Sequence, residues 1–186
     1  MNISSLNVLI GPPGCGKSTF ARRHFYSEDI VSLDIERERI CGDPGNQRAT
    51  EYAVSIMHPL LAGRCAFRRT TVLDNTSAKR VDRLSALAAA KQHPNPIPTV
   101  AIVFTTPLDV CVVRNAERPA NRRVPREKIE EMRETIDRDL PPGVPADGFN
   151  FTCWVDVDGR VTVYDPIPEV FAGASWLRGA RTEVRS

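Results

Sequence analysis

The sequence predicts an α/β domain in which a mostly parallel β-sheet is covered by helices on both faces. Three observations carry that expectation. Short apolar runs that read as buried strands alternate with helix-length segments as far as Asp139. A glycine-rich stretch, Gly11 to Ser18, stands between the first such run and the first helical segment. The length, 186 residues, suits one domain with a real core.

Each element has its own justification. Leu6 to Ile10 is an apolar strand stopped by Gly11, and Lys17 to about Tyr26 reads as a helix. Ile30 to Leu33 is a second short strand ending in Asp34, followed by a helix from Ile35 to Ile40 and a loop at Cys41-Gly42-Asp43-Pro44-Gly45. From about Gln47 to Arg69, residues Ala49, Tyr52, Ala53, Ile56, Leu60 and Leu61 recur at helical spacing, and Pro59 should kink or interrupt that helix. Thr70 to Leu73 is a third strand, ending at Asp74, and the alanine-rich Ser77 to Gln92 is a helix. His93-Pro94-Asn95-Pro96-Ile97-Pro98 is a loop, since its prolines suit neither a helix nor a central strand. Thr99 to Phe104 is a fourth strand. A helix from about Leu108 to Glu117, an arginine-rich loop and a helix from about Arg126 to Asp139 follow it.

The main domain is expected to span residues 1–145, closing at the prolines 141–145. Residues 146–186 are a tail expected to pack on that domain. Phe151 to Val157 and Arg160 to Tyr164 alternate apolar and polar around Asp158-Gly159, which signals a β-hairpin. Ala172 to Ser186 reads as loosely helical or frayed. The hairpin edges leave pairing into a homo-oligomer open.

Composition narrows the setting. A net charge of +2 does not demand nucleic acid, so any basic surface is local. The five cysteines are widely spaced and form no CxxC, so neither a disulfide framework nor a zinc site is expected and a reducing cytoplasm is the natural location. His24, His58 and His93 show no metal spacing. No leader-like segment and no apolar run of about 20 residues is present, so no membrane role is expected.

The chemistry starts at Gly11-Pro12-Pro13-Gly14-Cys15-Gly16-Lys17-Ser18, which fits the phosphate-loop pattern GxxxxGK[ST] after a strand and at a helix start. Glycines let successive N–H groups turn toward phosphate oxygens, and the helix N-terminus adds its positive dipole end. ATP with Mg2+ is the expected ligand pair. Gly11, Gly14, Cys15, Gly16, Lys17, Ser18 and Thr19 would form its site, with Lys17 on the β- and γ-phosphates, Ser18 on the metal and Thr19 at the α-phosphate. No NKxD for guanine occurs. Asp74 is followed by Asn75 rather than by a second acid that would polarise water, which suits a kinase. The expected fold is therefore a P-loop NTPase of the nucleoside- and nucleotide-kinase type. Asp34 is placed to take a proton from an acceptor hydroxyl, and Arg37, on the same helical face, could clamp an acceptor phosphate. The plainer reading makes Asp34 a helix cap and Arg37 a solvated charge. The run from Arg114 to Pro125, with Arg118, Arg122 and Arg123, reads as a lid that closes over ATP.

Four elements together resemble the kinase domain of phage and bacterial 5′-polynucleotide kinases: GPPGCGKST, Asp34-x-x-Arg37, Val72-Leu73-Asp74-Asn75-Thr76, and Arg114-Asn115-x-x-Arg118 with Val124-Pro125 behind it. The resemblance implies Asp34 as general base, Arg37 on the acceptor's 3′-side phosphate, Arg118 on the ATP phosphates, and a nucleic acid 5′-hydroxyl end as substrate. It makes Asp74 and Asn75 candidate substrate-binding residues, although the family often places Asp-Thr-Asn where this chain reads Asn75-Thr76-Ser77. Val155-Asp156-Val157-Asp158-Gly159-Arg160 is similar to the DxDGT opening of the phosphatase domain in bifunctional relatives. Arg160 replaces the threonine, however, and a plain Asp-Gly turn accounts for the residues. Arg64, Arg68, Arg69, Lys79, Arg80 and Arg83 are candidate nucleic-acid contacts or solvated helix charges. Two other readings stand beside this one: a kinase for a small metabolite, an antibiotic or a hydroxymethylated DNA base, and a non-catalytic nucleotide-binding module.

Overall fold

A computed structural model describes residues 4–92, 94 and 96–183. The expected loop positions His93 and Asn95 and the last three residues of the tail lie outside the described residues. The strands are β1 (Leu6–Ile10), β2 (Ile30–Val31), β3 (Thr71–Asp74), β4 (Thr99–Phe104), β5 (Phe151–Val155), β6 (Val161–Val163) and β7 (Arg181–Thr182). The helices are α1 (Lys17–His24), α2 (Leu33–Cys41), α3 (Thr50–Ala66), α4 (Arg80–Lys91), α5 (Leu108–Ala116) and α6 (Arg126–Asp139). One sheet of order β2-β3-β1-β4-β5-β6-β7 results, parallel from β2 through β5.

Every residue of β1 and β4 is buried, as a sheet covered on both faces requires. Alternation divides the core in two. Leu6, Val8, Ile10, Leu73, Ala101, Val103 and Trp154 face Met57, Leu61 and Cys65 of α3 and Ala86 and Ala90 of α4. Leu9, Val72, Ile102, Phe104 and Cys153 face Phe20 and Ala21 of α1, Cys111 of α5, and Phe171, Trp176 and Leu177 of the tail. Among the described residues no helix is long and apolar enough to cross a membrane.

The local structure corrects several sequence expectations. Strand β2 ends at Val31. Ser32 caps α2 by accepting the Asp34 N–H on its hydroxyl at 3.2 Å, so Asp34 lies in the first turn of a helix rather than at a strand end. Pro59 does not interrupt α3: it sits on the exposed side, while Ala53, Met57, Leu61 and Cys65, four residues apart, bury the other face. That packing carries the helix past its missing hydrogen bond. Tyr52, Ile56 and Leu60, which helped to locate the helix, lie on the exposed face. Helix α4 starts at Arg80, after a left-handed Ser77 at φ 44° and an extended Lys79 at its N-terminus.

The hairpin is part of the main sheet. Strand β5 pairs in parallel with β4, β6 returns antiparallel, and β7 takes the outer edge of β6. Asp156 shapes the turn by accepting the N–H groups of Asp158 and Arg160 at 2.9 Å each, and Gly159 supplies φ 81°. The described part of the final stretch, expected to be loosely helical or frayed, forms short 3₁₀ turns and β7. Two arginines considered for nucleic acid are structural. Arg64 bonds Asp29 at 2.9 Å together with Thr71 Oγ1 and the Thr70 carbonyl. Arg83 is buried and bonds Asp139 at 3.1 Å and the Ser77 and Ala78 carbonyls.

Candidate active site

The glycine loop lies at the C-terminal ends of the central strands, where open α/β sheets form their crevice. Gly14 and Gly16 hold φ 84° and 105°. A Cβ on Gly14 would stand 2.2 Å from the Cys111 carbonyl oxygen, so the loop is packed against α5 with no room for a side chain. Thr106 Oγ1 donates to the Cys15 carbonyl at 2.8 Å and fixes the loop from β4's side. The buried Lys17 ammonium donates to the Gly11 and Pro12 carbonyls at 2.8 and 2.9 Å and lies 3.5 Å from Cys15 Sγ. Cys15, Gly16, Ser18 and Thr19 line the cleft, whereas Gly11 is buried and not part of the lining. Among the described residues no group of three or more His, Cys, Asp or Glu could hold a metal. Magnesium on a nucleotide needs none, because phosphates and water supply most of its ligands; Ser18, the residue expected to contact it, lines the cleft.

The cleft encloses about 1100 Å³ and runs from this loop to α2 and the lid. Asp34 stands on its wall between two guanidiniums. Its Oδ1 accepts from Arg37 Nη1 at 2.8 Å, and its Oδ2 accepts from Arg122 Nη2 at 2.5 Å. Arg37 is buried and further held by Thr50 Oγ1 at 3.1 Å and the Pro44 carbonyl at 3.4 Å. Arg37 is thus not the solvated charge of the plainer reading, and Ser32, not Asp34, is the cap.

Asp74 lies half-buried at the end of β3, in register with Leu9, and lines the same cleft. Asn75 does something the sequence did not suggest. Its Oδ1 accepts the Leu33 N–H at 3.0 Å, and its Nδ2 points to Met57 Sδ at 3.3 Å. The side chain therefore ties the first turn of α2 to β3, while the residue also lines the cleft beside Asp74.

The lid, between α5 and α6, centres on a 3₁₀ turn over Ala120–Arg122. Its base is closed by Asn115, which exchanges two hydrogen bonds with the Val124 backbone at 2.8 and 3.1 Å. Arg118 lines the cleft and donates to the Arg122 carbonyl at 3.3 Å. Burial, and then the Arg122 charge, hold its guanidinium below the ordinary value against the pull of Asp34 and Asp74, yet it stays charged at neutral pH. Arg123 is a correction: it is exposed, bonds back to the Arg118 carbonyl at 2.7 Å, and is not part of the cleft lining.

Sequence reasoning missed what the lid rests on. Asn121 Nδ2 donates to Asp43 Oδ1 at 2.7 Å, and a Cβ on Gly45 would lie 2.0 Å from the Asn121 carbonyl oxygen. The partners are 78 residues apart, so no local spacing could pair them. Arg114 and the hairpin turn from Asp156 to Gly159 also line the cleft; both were noticed as motifs but not assigned to the site.

Comparison with known proteins agrees with this architecture. No curated protein matches the sequence. Among solved structures, a Chloroflexus aurantiacus J-10-fl protein proposed to be a kinase superposes with a TM-score of 0.58 at 16% identity, covering 95% of this chain and 98% of its own. A sugar kinase from Janibacter sp. HTCC2649 gives 0.55 at 16% identity, with 94% and 95% covered. A gluconokinase from Sinorhizobium meliloti 1021 gives 0.51 at 19%, with 84% and 85% covered. At such identities the likeness is one of fold. A family profile described as an AAA domain matches residues 6–138. That span runs from β1 through α6 and takes in the glycine loop, the Asp34–Arg37 pair and the lid, so the chain belongs to the AAA domain family, with the P-loop fold.

Proposed function

We propose that this protein is an ATP-dependent phosphotransferase acting on the 5′-hydroxyl end of a nucleic acid. The observation that carries the reading is Asp34: a carboxylate on the wall of the phosphate-loop cleft, aligned by a buried arginine and faced by a lid arginine. Magnesium-ATP supplies the transferable phosphoryl group and part of the charge neutralisation. Asp34 takes the proton of the acceptor hydroxyl. The freed oxygen bonds to the γ-phosphorus as the bond to the β–γ bridging oxygen breaks, and ADP leaves with the electron pair. Lys17 and Arg118 hold the negative charge that gathers on the phosphates, and Arg37 orients the acceptor through its neighbouring phosphate. Ser32 and Asn75 keep Asp34 in place by fixing the first turn of α2.

The acceptor class is supported by the charge of the cleft. Arg37, Arg114, Arg118 and Arg122 line it, which suits an acceptor with phosphates of its own. A second reading, a small hydroxylated acid or sugar as acceptor, is favoured by the named activities of the gluconokinase and sugar kinase that share the fold.

One experiment separates them. The protein is incubated with γ-labelled ATP, magnesium and 5′-hydroxyl RNA or DNA oligonucleotides, in competition with gluconate and neutral sugars. Label on the oligonucleotide, lost in Asp34→Asn while ATP still binds, is the expected result. Label on the small alcohols would replace the first reading with the second. ATP binding without transfer to any acceptor would leave a nucleotide-binding module.

A further inference from the structure

The two arginines on Asp34 are not equivalent. Arg37 is anchored: its Nε donates to Thr50 and its Nη1 is shared with the Pro44 carbonyl, so it keeps its place whatever enters the cleft. Arg122 comes from the opposite wall, 88 residues along the chain, and its only side-chain partner among the described residues is Asp34. Its Nε is buried and has no acceptor at all. Asp34 thus faces two guanidiniums, with a third, Arg118, close enough for the charges of Arg122, Asp34 and Asp74 to act on it, so three arginines stand against two carboxylates. The arrangement carries surplus positive charge and an unused donor, both pointing to an anion that completes it.

We propose that Arg122 is an acceptor-sensing latch. It holds Asp34 while the acceptor site is empty and moves to an anionic group of the acceptor when one arrives, which frees the Asp34 oxygen for the hydroxyl proton. The inference rests on the phosphotransfer reading above and adds a rule to it: phosphoryl transfer to water is suppressed because the proton-accepting oxygen is engaged until an anion-bearing acceptor binds. The lid's seating supports this. Asn121 on Asp43 and the close approach of Gly45 to Asn121 place the Arg122 turn across the acceptor side of the cleft. The bond to Asp34 is therefore made where an entering acceptor must pass.

The test measures ATP hydrolysis without acceptor, and kcat/KM for a nucleoside 3′-monophosphate against the same nucleoside without phosphate, in wild type, Arg122→Gln and Arg122→Lys. A hydrogen bond between charged groups corresponds to about tenfold to a hundredfold. Arg122→Gln is therefore expected to raise acceptor-free hydrolysis at least about fivefold and to shrink the preference for the phosphorylated acceptor by about tenfold. Arg122→Lys, which keeps the charge, is expected to restore most of both. If Arg122→Gln lowers hydrolysis and transfer together, Arg122 is a transition-state cation and the latch is overturned. An unchanged acceptor preference in a transferring enzyme overturns it as well. If wild type phosphorylates neither acceptor, the phosphotransfer reading fails separately, and the hydrolysis arm alone decides the latch: a rise supports it and no rise overturns it. Should Arg122→Gln fail to fold by circular dichroism, Asn121→Ala, which unseats the lid from Asp43, must raise hydrolysis in the same direction or the latch is overturned.

Discussion

Gly45→Ala tests the seating of the lid without touching a group that meets ATP. Gly45 does not hold a left-handed φ, so alanine meets no backbone strain of its own. Its new Cβ would stand 2.0 Å from the Asn121 carbonyl oxygen, where ordinary contact begins at 3.4 Å, so the two segments must separate by about 1.4 Å. Overpacking of this kind costs about 1–3 kcal/mol. Across the contact, the weaker side yields. The Asp43–Gly45 loop follows α2, which is anchored by Ser32, Asn75 and the buried Arg37, whereas the lid turn is held by the Asn121–Asp43 and Arg122–Asp34 bonds. The cost should therefore appear as lid opening, shifting the open population by about 5- to 150-fold. Trypsin reads this directly at the Arg122–Arg123 and Arg123–Val124 bonds, while Arg118 is protected by the proline after it. The expected result is lid cleavage faster by that factor, with Tm lowered by no more than a few degrees. Wild-type lid cleavage together with a large fall in Tm would show that the clash is absorbed by the body of the domain, and would refute the account of a separately seated lid.

Three further outcomes are expected. Asn75→Ala strips the acceptor from the Leu33 N–H and should cost about 1–2 kcal/mol in urea unfolding, while lowering kcat more than ATP affinity. Asp139 gives a pH signature. Burial alone would raise its carboxyl, but the hydrogen bonds from Arg83 and Arg138 outweigh burial and hold it below its ordinary value. Its stabilising contribution is thus complete above the unfolded value, about 3.9, and is lost as pH falls through the folded one. Asp139→Asn should flatten the acid limb of stability measured by urea unfolding across that range, and an unaltered limb would exclude the pairing. Thiol labelling of the native protein should single out Cys41, which is exposed. Burial pushes the thiols of Cys65 and Cys111 up to about 11 and Cys153 higher still, leaving little thiolate at neutral pH; mass spectrometry after brief maleimide treatment reads the order.

Much of the fold was legible because it follows from local rules. Strand β4 and helix α6 have the predicted bounds, since an unbroken apolar run and a proline-started amphipathic stretch state their own limits. The glycine loop announced itself because a backbone curled around phosphate needs glycines at fixed offsets, and Gly14 and Gly16 hold the positive φ values that no other residue adopts freely. Asp34 and Arg37 were legible as a pair from helical spacing alone.

What remained hidden depends on contacts between distant segments. Spacing gave no sign that Pro59 would be carried inside α3 by packing against α4 and the sheet, or that Arg64 would turn inward to the buried Asp29 and a buried Arg83 would pair with Asp139. Asn75 gained its task only when β3 brought it beside the start of α2, and Arg123 lost its expected one when the lid turned its side chain back on Arg118. The amino-acid order by itself determined the phosphate loop, the helical pair and the arginine content of the lid, because each is a pattern within one turn or strand. Only the tertiary structure decided which arginine meets Asp34 and where the lid rests, because charges far apart in sequence are matched by the geometry of the closed chain and not by its order.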